Sequence, residues 1–183
     1  MSKLLKRALK TAVLPASLLV AGKFLTILTI VTVWGFDMSV SNSAPSMFSV
    51  QFLIADSTNA LFTNSIANLV TLLLIAIPTF YLLIRRTLLQ DAQSNPRTVV
   101  KLTKFNVLKW VTKQETVLMP VLIWTVFLWI ICGVTIANTV ALQTYSWIGI
   151  SAGVLEILSA WGLLRTFEVE TDKIYPKSNN QYM

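Results

Sequence analysis

The chain has 183 residues, 55% of them hydrophobic and 13% charged, with a net charge of +7 and a mean hydropathy of +0.67. A soluble domain carries about 25% charged residues, so this composition excludes an ordinary soluble fold. There is no histidine and a single cysteine, Cys132, which excludes internal disulfides, His/Cys metal clusters and the commonest general base.

Residues 2–13, SKLLKRALKTAV, place Leu4, Leu5, Ala8, Leu9 and Ala12 along one helical face and Lys3, Lys6, Arg7 and Lys10 along the other. This predicts a short amphipathic helix suited to an anionic membrane surface. The same basic, acid-free opening also fits a mitochondrial targeting segment, whereas the apolar run behind it is too long for a secretory signal. Pro15 marks a bend or a helix start, and residues 14–36 form the first span, interrupted only by Lys23. Trp34 and Phe36 lie at its far end, as interfacial aromatics do.

Residues 37–59 read as a polar outer loop containing Asp37, Pro45 and Asp56. Its apolar piece MFSVQFLI is too short to cross, and is expected on the outer surface or tucked against the spans. The second span, residues 60–84, is closed by Arg85 and Arg86 and contains Pro78, expected to kink it near its inner end. Asn64, Asn68 and Thr71 align on one face. Asparagine facing lipid is costly, so this stripe is expected to face other helices, bonding between them, or to line a polar path.

The long loop, residues 87–116, adds Arg97, Lys101, Lys104, Lys109 and Lys113 against only Asp91 and Glu115. Within it, residues 97–114 predict an interfacial helix whose basic side faces anionic headgroups or an acidic partner. A basic helix with aromatics could also suggest nucleic acid, but membrane-flanking Lys and Arg already account for the charge. Residues 117–136 form the third span, with Trp124, Trp129 and Cys132. A short uncharged loop, 137–145, joins it in a tight hairpin to the fourth span, residues 146–164. The tail, 165–183, is polar and expected to fray.

The predicted fold is therefore one all-α integral membrane domain, residues 1–183, with four transmembrane helices and amphipathic interfacial helices at the N-terminus and between spans two and three. Of 15 basic residues, four precede the first span, seven lie between spans two and three, three follow the fourth, and the last is Lys23; neither outer loop has any. The positive-inside rule then places both termini and the long loop in the cytoplasm of a bacterial-type plasma membrane, or in the matrix if the membrane is the mitochondrial inner one.

Lys23 lies nine residues beyond Leu14 and Glu156 nine residues before Arg165. At about 1.5 Å per residue, both stand roughly 13–14 Å above the inner boundary, close to the middle of a hydrocarbon layer about 30 Å thick. A charge there costs about 2.5–3.5 kcal/mol, which pairing would offset, so a Lys23–Glu156 ion pair between spans one and four is expected. Its rivals are snorkelling by Lys23 and a protonated Glu156 bonded to Asn64, Asn68 or a carbonyl. Gly149, Gly153, Glu156 and Ala160 share one helical face, and Gly149 to Gly153 forms a G-x-x-x-G. That face is expected to receive the other helices.

No P-loop, dinucleotide fingerprint, repeat or clustered carboxylate pair is present. No catalytic residue, metal ligand or cofactor is assigned, and the reading is non-enzymatic. Two functions remain. One is an accessory or assembly subunit of a membrane complex, touching anionic lipids and either other subunits or further copies of itself. The other is a small oligomeric transporter or channel using the intramembrane Lys/Glu pair.

Overall fold

The computed structural model describes residues 3–41, 51–54, 56–94, 97, 100, 103, 104 and 118–174. Four helices in it are long and apolar enough to cross a membrane. They are α1 (Lys3–Trp34), α2 (Ser57–Ser94), α3 (Leu118–Val140) and α4 (Ser146–Ile174). Between α1 and α2, strands β1 (Met38–Ser41) and β2 (Gln51–Ile54) pair antiparallel, with Met38 opposite Ile54 and Ser41 opposite Gln51. The loop predicted over 37–59 thus contains a short β-ladder.

The separate amphipathic helix over 2–13 is not formed, because α1 runs unbroken through Pro15. A proline removes one helical N–H and crowds the carbonyl four residues back. Two nearby hydroxyls make local bonds of their own, to other carbonyls. Thr11 Oγ1 donates to the Arg7 carbonyl at 3.0 Å and Ser17 Oγ to the Leu14 carbonyl at 2.8 Å. Pro15 itself is buried, so its ring is held by packing. The helix ends at Gly35, whose φ is +66°, with the Phe36 N–H donating back to the Val31 carbonyl at 3.1 Å. This is the six-to-one bond of a glycine-terminated helix.

Asp56 caps α2. Its carboxylate accepts the Thr58 hydroxyl at 2.8 Å and the Thr58 N–H at 3.2 Å, which satisfies free donors of the first turn. These bonds, the hydroxyl first, hold the Asp56 carboxyl below the usual carboxylate range. From that cap α2 runs 38 residues, through Pro78 and past the predicted end at 84. Its apolar part, Ser57–Leu88, is the portion long and apolar enough to span. Of the predicted helix over 97–114, Arg97, Val100, Thr103 and Lys104 are helical and exposed; its other residues lie outside the described ones. Likewise α4 continues beyond 164 to Ile174, so the start of the expected fraying tail is helical; residues 175–183 lie outside the described residues.

The helices form a rhombus in cross-section. α2 and α3 pack against each other and against both remaining helices, whereas α1 and α4 share no packed seam. The core lies along the short diagonal, where Leu72, Ile75 and Ala76 of α2 meet Trp124, Leu128, Ile131 and Cys132 of α3 and Ala152 of α4. Leu18 and Leu19 close it from the α1 side and Leu155 from α4. A smaller cluster, Leu83 with Val121, sits nearer Arg85 and Arg86. α2 and α3 bury more than twice the share of their spans that α1 and α4 do. The outer helices leave Val20, Leu25, Ile150, Ile157 and Leu164 exposed, a distribution suited to lipid rather than water.

The fourth helix packs on a face only partly the one expected. Its buried residues are Ile148, Gly149, Ala152, Ser159 and Thr166, and of the expected stripe only Gly149 is among them. At about 3.6 residues per turn, the stripe through Ile148, Ala152, Ser159 and Thr166 is roughly a quarter-turn from the one through Gly149, Gly153, Glu156 and Ala160. Ser159 is drawn inward because it accepts the Trp129 indole N–H at 2.9 Å, and a half-buried indole requires such an acceptor. The two glycines are consequently unequal. A methyl group on Gly149 would stand 2.5 Å from Thr139 Oγ1 and 2.8 Å from its Cβ, whereas one on Gly153 would meet nothing within 4 Å. Gly149→Ala is therefore expected to lower stability by about 1–3 kcal/mol, and Gly153→Ala to leave it unchanged. Thermal unfolding of the two variants in the same detergent checks this, and equal effects would contradict the asymmetric seam.

Candidate functional site

The polar face of α2 is spent on one task, holding the α3–α4 connection. Asn64 Nδ2 donates to the Gln143 carbonyl at 3.0 Å. Asn68 Nδ2 donates to Thr144 Oγ1 at 2.7 Å, with both residues buried. Ser65 Oγ accepts the Tyr145 N–H at 3.0 Å. Three consecutive residues of the connection are thus fixed by three side chains spaced over little more than one helical turn. Thr71, the last of the predicted stripe, is buried and donates to its own Ala67 carbonyl at 2.7 Å. It does not take part in the clamp.

The clamped segment follows a strained residue. Leu142 has φ +58°, a left-handed conformation costing a bulky residue about 1–2 kcal/mol. It sits at the end of α3, where the Leu142 N–H reaches the Thr139 carbonyl at 3.0 Å and the Gln143 N–H reaches the Asn138 carbonyl at 2.8 Å. Those two bonds are the pair that glycine normally permits at a helix terminus. Here the turn is made by leucine, exposed at 83%, and the clamp from α2 holds the next residues in line.

Sequence reasoning missed Ser65, Thr144 and the Trp129–Ser159 bond. Ser65 adjoins the Asn64–Asn68 stripe, but a lone serine in a span carries no signal of its own. Thr79 was also missed; it donates to the Ile75 carbonyl at 2.7 Å and, at 3.3 Å, to the Trp124 carbonyl of α3. The buried Thr63 Oγ1 and Asn68 Oδ1 have no hydrogen-bond partner among the described residues.

The expected Lys23–Glu156 ion pair is not formed. α1 and α4 occupy opposite corners of the rhombus, with α2 and α3 between them. Lys23 is half-buried beside Gly22, whose own Cα side is closed by Leu74 of α2. Glu156 is half-buried on the α3 side of α4, within electrostatic range of Cys132. Its backbone carbonyl accepts the Ser159 hydroxyl at 2.8 Å. Among the described residues neither charged side chain has a hydrogen-bond or ion-pair partner. Spacing along each helix bears on depth; adjacency required knowing which spans touch.

The basic residues gather at the end of the bundle opposite the clamp. Lys6, Arg7 and Lys10 are exposed on the first turns of α1, where Lys3 also lies. Arg85 and Arg86 are half-buried on α2, and the Arg165 guanidinium stands 5.8 Å over the Trp161 ring. Arg97 and Lys104 are exposed; Lys101, Lys109 and Lys113 lie outside the described residues. No group of three His, Cys, Asp or Glu side chains among the described residues could hold a metal ion, and Cys132 is buried and unpaired.

Two substitutions probe the clamp from opposite sides. Asn68→Ala strands the buried Thr144 hydroxyl and is expected to cost about 1–2 kcal/mol. Leu142→Gly relieves the strained turn and is expected to raise stability, by up to about 1 kcal/mol. Melting of both variants in detergent gives the signs. No family model matches the sequence, and neither a curated protein nor a solved structure matches it.

Proposed function

We propose that this chain is a non-catalytic multi-pass membrane protein acting as an accessory or assembly subunit of a membrane complex. Both termini and the basic segment after α2 would lie on the cytoplasmic side of a bacterial-type plasma membrane, or in the matrix of a mitochondrion. The orientation is supported by the gathering of Arg and Lys at one end of the bundle, since cationic flanks stay on the inner side. Those cations also suit anionic headgroups.

One observation carries the assembly reading. The interior asparagines and most interior hydroxyls bond within the chain, while the two charges at membrane depth, Lys23 and Glu156, sit on the two outermost helices without a partner among the described residues. A permeation path needs polar groups free to exchange partners with a passing solute. Here Asn64 and Asn68 tie down a loop instead. The transporter or channel reading draws on Lys23 and Glu156 alone.

Purification from membranes in mild detergent, followed by native mass spectrometry, tests the proposal. Recovery with stoichiometric foreign subunits is expected. A chain recovered only as a monomer would overturn it, and a pure homo-oligomer would favour the transport reading. Ion flux in proteoliposomes that is abolished by Glu156→Gln would replace it with the transport reading.

A further inference from the structure

We propose that the inner end of the seam between α2 and α4 binds one anionic phospholipid, its phosphate held by Arg85 of α2 and Arg165 of α4. The inference deepens the reading that the cationic end of the bundle meets anionic headgroups, and it rests on the inner-side orientation proposed with it. It calls for no particular protein partner.

Packing brings the two arginines to one level. A methyl group on Gly162 of α4 would stand 3.5 Å from Leu83 of α2, so these two residues lie side by side. The second and fourth helices of an up-and-down bundle run in the same direction, which puts Arg165 beside residue 86. Arg85 is one residue short of that, about 1.5 Å along the axis. The apolar parts of the two helices end at Leu88 and Phe167, within one turn of the arginines. Both cations therefore stand at the edge of the hydrocarbon, where lipid phosphates lie. Asp91 and Glu168 come further along the two helices, on the water side.

The two arginines also open on one side of the bundle. α2, α3 and α4 pack against one another, so the sides of α2 and α4 turned away from α3 form a single outward wall. Tyr81 lies about half a turn round α2 from Thr79, which bonds to α3, and Trp161 lies the same half-turn round α4 from Ser159, which also bonds to α3. Both rings are exposed, with Ile84 and Leu158 beside them. Arg85 and Arg165 follow Tyr81 and Trp161 by four residues, and so share their sides. The Arg165 guanidinium is held over the exposed Trp161 ring at 5.8 Å, drawn back toward the hydrocarbon rather than out into water. Arg85 is half-buried with its Nε shielded. A guanidinium offers five donors in a planar fork, enough to hold a neighbour and a phosphate together. Tyr81, Ile84, Leu158 and Trp161 supply apolar surface for acyl chains, which a soluble phosphate would leave uncovered. Basic sites between helices at the inner face suit anionic headgroups for this reason.

The test titrates the full-length protein in uncharged detergent with phosphatidylglycerol, phosphatidylcholine or inorganic phosphate and counts bound molecules by native mass spectrometry. One phosphatidylglycerol per chain is expected to bind about tenfold or more tightly than phosphatidylcholine, and excess inorganic phosphate is expected not to displace it. Arg85→Gln/Arg165→Gln is expected to lose that preference, a weakening of about tenfold for the loss of charge-assisted bonds, whereas Arg85→Lys/Arg165→Lys keeps part of it. Thermal unfolding without added lipid shows whether the glutamine variant is folded; if it is not, Arg165→Gln alone, at an exposed position, gives the same reading. Equal binding of the two lipids, displacement by inorganic phosphate, or full preference in a folded glutamine variant overturns the proposal. A chain that retains a foreign subunit but no phosphatidylglycerol overturns it and leaves the assembly reading standing, and a monomer that retains the lipid does the reverse.

Discussion

Asn64, Ser65 and Asn68 of α2 hold residues 143–145 by three hydrogen bonds, and the order of the bundle depends on that grip. It fixes where α4 begins and at what height. With the start of α4 set, Gly149 falls against Thr139, Ala152 enters the core, and Ser159 meets the Trp129 indole. In a hydrocarbon surrounding, apolar contact alone does not distinguish a helix from lipid tails, so polar bonds and close packing decide which faces meet. The clamp supplies the first of these and the Gly149–Thr139 contact the second.

The price of that arrangement is visible at Leu142, whose backbone takes a conformation glycine would adopt more easily. The strain lies immediately before the clamped residues and is offset by bonds to a different helix. Such over-determined turns persist because the surroundings leave no alternative. Several other hydroxyls act locally. Thr26, Thr29, Thr71, Thr125 and Thr135 each donate to the carbonyl four residues back, which settles a polar group in an apolar setting.

Most of the scaffold was legible in the sequence. Apolar run length gave four spans, and the Asn64–Asn68–Thr71 periodicity pointed to a face that avoids lipid. Two of those three residues do reach another part of the chain. Helix limits were less legible: Pro15 looks like a boundary in the sequence, yet the structure carries α1 through it. The short strands were hidden because four-residue segments give too little alternation to register. The α4 packing face was half legible: Gly149 packs closely on Thr139, whereas Gly153 meets nothing within 4 Å, because a G-x-x-x-G signals close approach without saying which neighbour approaches. The charge pair failed for a related reason. Spacing along a helix reports depth, whereas lateral order among four helices comes from long-range contacts such as Asn68–Thr144.

α2 has a mechanical consequence. It is one helix from its Asp56 cap to Ser94, about 57 Å if straight. One end is anchored by the loop clamp, and the other extends past Arg85 and Arg86, beyond the apolar stretch. A rod anchored in this way couples its two ends: a small tilt at the clamped end displaces the Ser94 end in proportion to the length between them.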